Sequence, residues 1–223
     1  MSVFINSEGG LTSSGYFAAA ALIILLLLCV FAIGRKTTTG GGDHSSSPVK
    51  RLSFCSMCIA LAAVTSMIKV FEFTYGGSVT LCSMLFAMLP AWIYGASTGF
   101  LCGLVYGLIQ FLLGPYFLTF PQFLFDYIFA FMIMGAAGFF SRKRNGLFIG
   151  YIVAVTGRWV MATIAGLIWY SLGTTIWEGW SPLPYSMVYN GIYIGAEAIV
   201  TLIILSVPAV RKALSEVKKA ALS

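Results

Sequence analysis

Charged residues are scarce in this sequence. They make up 9% of its 223 residues, whereas 59% are hydrophobic; ordinary soluble domains have about 25% charged and 45–50% apolar residues. A soluble core cannot bury so much apolar surface. Uncharged runs such as 17–33 approach the roughly 20 residues that cross a bilayer as a helix. The alternating pattern of barrel strands is also lacking, so the sequence predicts an all-α membrane protein.

Residues and motifs for catalysis are lacking as well. The one histidine, His44, lies in a Ser-rich stretch, and the chain has no Walker P-loop, G-x-S-x-G, H-E-x-x-H or EF-hand motif. The five cysteines fall in apolar stretches, where cysteine usually behaves as a small hydrophobe. We therefore expect no catalytic residue, no metal site, no cofactor and no ATPase activity in this chain.

The basic residues form three clusters that predict the orientation. Loops rich in Lys and Arg stay on the cytoplasmic side of a membrane. We predict a multi-pass protein of a prokaryotic cytoplasmic membrane, with its N-terminus outside and its C-terminus inside. This orientation places all three clusters in the cytoplasm. Eleven of the thirteen basic residues belong to them: Arg35, Lys36, Lys50 and Arg51; Arg142, Lys143 and Arg144; and Arg211, Lys212, Lys218 and Lys219.

Composition divides the chain into four segments. Residues 1–36 contain an extra N-terminal transmembrane helix at about 16–34, and the Gly- and Ser-rich residues 37–50 form a flexible cytoplasmic linker. Residues 51–210 form the main membrane domain, and residues 211–223 form a basic cytoplasmic tail. The six helices of the main domain are predicted at about 52–72, 78–93, 95–113, 121–140, 146–171 and 185–207.

Ionisable residues inside membrane helices indicate function because lipid makes them costly. Asp126 lies about five residues into its predicted helix, and Asn190 is at a similar depth in the last helix. Tyrosines and tryptophans surround both in the sequence. One carboxylate among aromatic rings suits an aromatic cation, through charge and cation–π contact. The aromatic residues also fit an ordinary interfacial belt.

Arg158 and Glu197 are two further charges, both near the predicted centre of the bilayer. Their depths differ by roughly 6 Å. They are therefore predicted to form a structural ion pair, with substrate contact or signal transmission as the alternative role.

Small residues recur on the first helix of the main domain. Ser56, Ala60 and Ala63 have three- and four-residue spacing, which lets another helix approach closely. They form either a docking face for a partner subunit or a packing face within this chain.

Two stretches resemble one known family. The first spans 76–140 and the second spans 158–197, with W-E-G at 177–179 and Y-S-x-x-Y-N-G-x-Y at 185–193. Both resemble the thiamine-specific S-components of energy-coupling factor transporters, in several motifs that occur in the same order. The resemblance covers about 51–210 and leaves out the helix at 16–34.

The resemblance implies a six-helix bundle that binds thiamine from outside and joins a transmembrane coupling subunit and two ATPase subunits. Only those partner subunits would use ATP. Asp126 matches the acidic residue that faces the thiazolium ring, and the small residues of the first helix match the family's coupling face. The other matching ligand-binding positions are Tyr116, Tyr170, Trp177, Tyr185 and Asn190.

One position departs from the family pattern. A histidine commonly follows the arginine of the fifth helix by four residues, and here that residue is Ala162. The polar contact to the pyrimidine ring is then either missing or supplied by Asn190 or Gln122. The alternatives are an S-component for another small heterocycle, such as hydroxymethylpyrimidine or a flavin, and an intramembrane enzyme or assembly factor.

Overall fold

The computed structural model describes residues 47–73, 77–114, 119–171 and 179–223. The predicted N-terminal helix at 16–34 and most of the predicted linker lie outside these residues. In the described part, five helices are long and apolar enough to cross a membrane, and a shorter apolar helix accompanies them. This confirms the predicted all-α membrane bundle.

Seven helices and two short strands are described. The helices are α1 (Pro48–Met67), α2 (Ser83–Tyr94), α3 (Ala96–Leu113), α4 (Phe120–Phe140), α5 (Gly146–Ser171), α6 (Pro182–Ser206) and α7 (Pro208–Leu222). The strands β1 (Lys69–Glu72) and β2 (Ser78–Thr80) pair antiparallel between α1 and α2. Proline begins α1, α6 and α7, where its missing N–H costs nothing.

The short helix α2 is the centre of the bundle. Ten of its twelve residues are buried, and Met84 and Met88 have no exposed surface. Twelve residues rise about 18 Å, less than the roughly 30 Å of hydrocarbon. The hairpin of β1 and β2 comes just before α2 in the sequence and lies at the N-terminal end of this helix. We call this end of the bundle the hairpin end.

The hairpin corrects two predicted helix boundaries. Helices were expected at 52–72 and 78–93, but α1 ends at Met67 and residues 69–72 and 78–80 form strands. These segments are rich in β-branched and aromatic residues, which favour strands. Their apolar content alone made them look like helix ends.

The predicted basic tail is largely helix α7. Its residues Leu214 and Leu222 pack against the core, and Ala221 is completely buried. The Tyr94 hydroxyl at the end of α2 donates to the Ala221 carbonyl at 3.3 Å. Helix α7 therefore lies against the end of the bundle opposite the hairpin, which we call the α7 end.

Helix α4 is irregular along its length. It begins as α-helix, becomes a π-helix over Leu124–Phe129 and ends as a 3₁₀-helix over Ile133–Phe140. The Ala130 N–H donates to the carbonyl of Phe125, five residues back. Such π turns are rare, and those that do occur are often found at functional sites. Asp126 lies in this π turn.

Candidate functional site

A cavity of about 510 Å³ opens at the hairpin end of the bundle. This volume is within the range of about 300–1,000 Å³ that small-molecule sites occupy. Residues from the hairpin and from α1, α3, α4, α5 and α6 line it. Three of the predicted site residues, Asp126, Tyr170 and Asn190, are among them. Tyr116 and Trp177 lie outside the described residues.

Asp126 is a half-buried carboxylate in the cavity wall. Ion pairs in the described ranges join Lys69 to Glu72 and Lys219 to Glu216, and neither includes Asp126. Arg158 lines the same cavity and acts electrostatically on this carboxylate without forming an ion pair with it. A carboxylate that is not in direct contact with a protein cation can act as a counter-ion for a cationic ligand. The cavity thus has one acidic group on its inner wall and a second, Glu72, among its lining residues from the hairpin.

Aromatic rings form one wall of the cavity. Tyr170 and Tyr185 meet edge to face with ring centroids 4.7 Å apart, and Tyr185 stacks on Tyr189 at 6.1 Å. Tyr185 itself is 3% exposed and lies behind the lining residues Tyr170 and Tyr189. It therefore supports the rings that face the cavity. Trp169, one of the aromatic residues that also fit an interfacial belt, is buried and lines the same cavity.

Both polar atoms of the Asn190 side-chain amide form hydrogen bonds within the protein. Its Nδ2 donates to the Ala162 carbonyl at 3.2 Å and to the Ser186 carbonyl at 2.9 Å. Its Oδ1 accepts from the Tyr193 hydroxyl at 2.7 Å. An amide oxygen has a second lone pair, so Oδ1 can also accept a hydrogen bond from a ligand in the cavity.

The position that departs from the family pattern is also in this wall. Ala162 lines the cavity one helical turn from Arg158 on α5. Its methyl group cannot hydrogen-bond, but its carbonyl fixes the Asn190 amide. Gln122, which is 3% exposed, lines the cavity too. Both amides named as substitutes for the missing histidine therefore lie in the cavity wall.

The predicted ion pair between Arg158 and Glu197 is not formed. Arg158 lines the cavity, with its guanidinium 4.6 Å from the centroid of the Phe131 ring. Similar depth in the membrane does not place two side chains on facing helix surfaces. Arg158 projects towards α4, whereas Glu197 projects from α6 towards α2.

Glu197 instead holds the junction between β2 and α2. Its Oε2 accepts from the Thr80 N–H at 3.2 Å and the Thr80 hydroxyl at 2.6 Å. Its Oε1 accepts from the Ser83 hydroxyl and the Met84 N–H, both at 3.1 Å. The carboxylate thus lies at the N-terminus of α2, where the helix dipole stabilises negative charge.

The small residues of α1 differ in their exposure. Ser56 and Ala60 are exposed, whereas Ala63 is partly buried and packs against the core. Packing within the chain uses mainly Cys55, Cys58 and Ala62, which are buried. The exposed part of the predicted docking face is therefore left for lipid or for a partner, and docking stays a prediction.

Sequence reasoning missed several lining residues. Tyr189 and Tyr193 continue the face of Tyr185 at intervals of four residues, a period that places them on one side of α6. That spacing could have found them. Tyr106 and Gln110 of α3 also line the cavity, and their sequence surroundings gave no comparable signal.

The chain matches a known protein family over most of its length. The family is described as Thiamine transporter protein (Thia_YuaJ), and the match covers residues 52–216. Thiamine transporter ThiT of Bacillus subtilis (strain 168) is 27% identical over 182 residues, which are 73% of this chain and 91% of that protein.

Two solved structures are similar to this chain. ThiT from Listeria monocytogenes aligns with a TM-score of 0.64 at 24% identity, over 78% of this chain and 97% of that chain. The S component of a bacterial ECF transporter aligns with a TM-score of 0.44 at 23% identity, over 72% of this chain and 97% of that chain. The first of these likenesses shows a shared fold.

Proposed function

This chain belongs to the thiamine transporter family, and from that premise we propose that it captures thiamine as the S-component of an energy-coupling factor importer. It is a multi-pass membrane protein with five long apolar helices in its described part. The observation that carries the proposal is the Asp126 carboxylate in an aromatic-walled cavity.

The cavity provides what the two halves of thiamine require. The thiazolium ring is a cation, and Asp126 supplies a negative charge in a site of low dielectric constant. The aminopyrimidine ring is flat and has hydrogen-bonding nitrogens. Tyr170 and Tyr189 offer ring faces for stacking, while Asn190 and Gln122 offer amide groups. Binding needs no covalent chemistry, so the proposal assigns no catalytic residue.

Energy for transport would come from partner subunits. We propose a transmembrane coupling subunit that docks on the α1 face of Ser56, Ala60 and Ala63, and two ATPase subunits in the cytoplasm. The exposure of Ser56 and Ala60 supports this, since small residues let a partner helix approach closely.

Replacing Asp126 by Asn tests the ligand assignment. The change keeps the shape of the side chain and removes its charge. Loss of one member of a buried charge pair typically costs roughly 2–5 kcal/mol, about 30-fold to several-thousand-fold in affinity. Thiamine affinity should fall by that factor. The affinity for a neutral isostere, in which carbon replaces the thiazolium nitrogen, should fall far less. Quenching of tryptophan fluorescence reports binding because Trp169 lines the cavity.

The matched control is Glu72→Gln. Glu72 also lines the cavity, but its side chain is 57% exposed and pairs with Lys69 at 2.6 Å. Exposed charges contribute little, so thiamine affinity should change by less than about threefold. Equal losses for the charged and neutral ligands in Asp126→Asn would mean that Asp126 only shapes the cavity.

A neutral pyrimidine is the second candidate ligand. Ala162 in place of a histidine changes the wall on which the pyrimidine contact is expected, which favours a ligand other than thiamine. Mass spectrometry of ligand released from denatured protein distinguishes the two. A copurified neutral pyrimidine, bound with equal affinity by the wild type and Asp126→Asn, would overturn the thiamine assignment.

A further inference from the structure

The Asp126 side chain projects from the irregular part of α4, which packs against α3. Asp126 lies within the π turn Leu124–Phe129, so its direction differs from the one that a regular α-helix would give. Because π turns are rare and occur mostly as single turns inside α-helices, we examine the packing that holds this one. The neighbouring residue Tyr127 shows where it is held.

Tyr127 is fixed to α3 at three points. Its main-chain carbonyl packs directly on Gly107, where an added Cβ would overlap the carbonyl oxygen and lie 3.1 Å from the carbonyl carbon. Its ring meets Phe111 with centroids 5.1 Å apart. Its hydroxyl donates to the Gly114 carbonyl at 2.9 Å. These contacts span two turns of α3 on the side that faces α4.

Gly107 belongs to a stripe of glycines on α3. Gly99, Gly103 and Gly107 recur every four residues and therefore share one face of the helix. A Cβ on Gly103 would overlap the Phe131 carbonyl and lie 2.9 Å from the Met132 Cα. The two main chains thus touch along the segment that contains the π turn. Any side chain at Gly107 must push Tyr127 away.

We propose that Gly107 and Tyr127 are positioning residues that hold the π turn on α3 and thereby aim the Asp126 carboxylate into the cavity. Tyr127 follows Asp126 directly in the π turn and also lines the cavity, so fixing its main chain and ring on α3 also fixes the direction of Asp126. This inference rests on the proposed function, in which Asp126 recognises a cation. The packing of the π turn on α3 would explain why the Asp126 carboxylate faces the cavity.

A double-mutant cycle tests the inference. In Gly107→Ala, the displaced Tyr127 should move Asp126, and thiamine affinity should fall at least about fivefold, within the coupling expected of neighbouring residues. In an Asp126→Asn background, the same change should alter affinity by less than about twofold. Affinity for the neutral isostere should change little in either background. A purely structural role would lower affinity for both ligands and in both backgrounds.

The matched control is Gly99→Ala. Gly99 lies on the same stripe, and an added Cβ would overlap Ala91 and lie 2.9 Å from the Gly135 Cα. The strain is similar, but the contact is at the α7 end of the helix, remote from Asp126. Thermal unfolding should shift by a comparable amount, while the ratio of thiamine to isostere affinity stays that of the wild type.

A second variant covers the case in which Gly107→Ala does not fold. Tyr127→Phe removes only the hydroxyl that reaches Gly114. It should lower thiamine affinity about threefold, and this loss should disappear in the Asp126→Asn background. Persistence of the loss in that background would overturn the inference and make Tyr127 a direct contact. A wild type that does not bind thiamine would instead overturn the proposed function.

Discussion

At the scale of single residues, Glu197 shows how a charge is tolerated inside this bundle. It is 3% exposed, yet the described part of the chain gives it no cation partner. Four hydrogen bonds from Thr80, Ser83 and Met84 satisfy its two oxygens instead. Main-chain N–H groups at a helix N-terminus stabilise a carboxylate. Arg158 is thereby left to face the cavity.

Substitutions of Glu197 should separate these roles. Glu197→Ala leaves the N–H groups of Thr80 and Met84 without an acceptor in the core, and should cost about 3–5 kcal/mol of unfolding free energy. Glu197→Gln keeps one oxygen acceptor and should cost less. Thermal unfolding in detergent, followed by tryptophan fluorescence, measures both.

Combining Glu197→Ala with Arg158→Met provides the control. If the two residues are independent, their effects should add within about 0.5 kcal/mol. A double variant that is more stable than Glu197→Ala alone would contradict the structure and restore the ion pair that the sequence suggested.

At the scale of elements, α7 ties together segments that are distant in the sequence. Lys218 donates from Nζ to the Trp92 carbonyl at 2.8 Å and to the Ser141 carbonyl at 2.6 Å. The same ammonium group lies 4.3 Å from the centroid of a Trp92 ring. A lysine near the C-termini of two helices satisfies carbonyls that have no partner within the helix. Helix α7 therefore joins the ends of α2 and α4.

Two adjacent lysines test this role of α7. Lys218→Ala should lower the unfolding free energy by about 1.5–3 kcal/mol, because hydrogen bonds to a charged group are lost. Lys219→Ala removes only an exposed pair with Glu216 and should cost at most about 1 kcal/mol. Differential scanning fluorimetry in detergent compares the two. Equal shifts in melting temperature would show that α7 does not hold the bundle through Lys218.

At the scale of the whole molecule, basic residues from all three clusters meet at the α7 end. Lys50 at the start of α1 donates to the Ser223 hydroxyl at 3.2 Å. Ser141, which accepts from Lys218, is followed by Arg142, Lys143 and Arg144. Positive charge of this kind marks the cytoplasmic side. We therefore propose that the cavity opens to the outside and that the C-terminus lies in the cytoplasm.

Cysteine labelling in intact cells tests this orientation. Single cysteines at Ser13, Ser46 and Ser215, in a background without native cysteines, are treated with a membrane-impermeant reagent. Position 13 should react from outside, whereas positions 46 and 215 should react only after the cells are permeabilised. External labelling of position 215 would invert the proposed topology and close the cavity to external thiamine.

The sequence by itself determined the membrane-helical class, because its apolar runs have no other stable form in lipid. It also identified Asp126, since an acidic residue in such a run is costly and therefore noticeable. Only the tertiary structure decided which side chains meet. Glu197 pairs with main-chain groups of Thr80 and Met84 more than a hundred residues away in sequence, and the π turn that aims Asp126 depends on contact with Gly107. Depth and period along one helix predict where a residue lies, but helix rotation and packing decide what it faces.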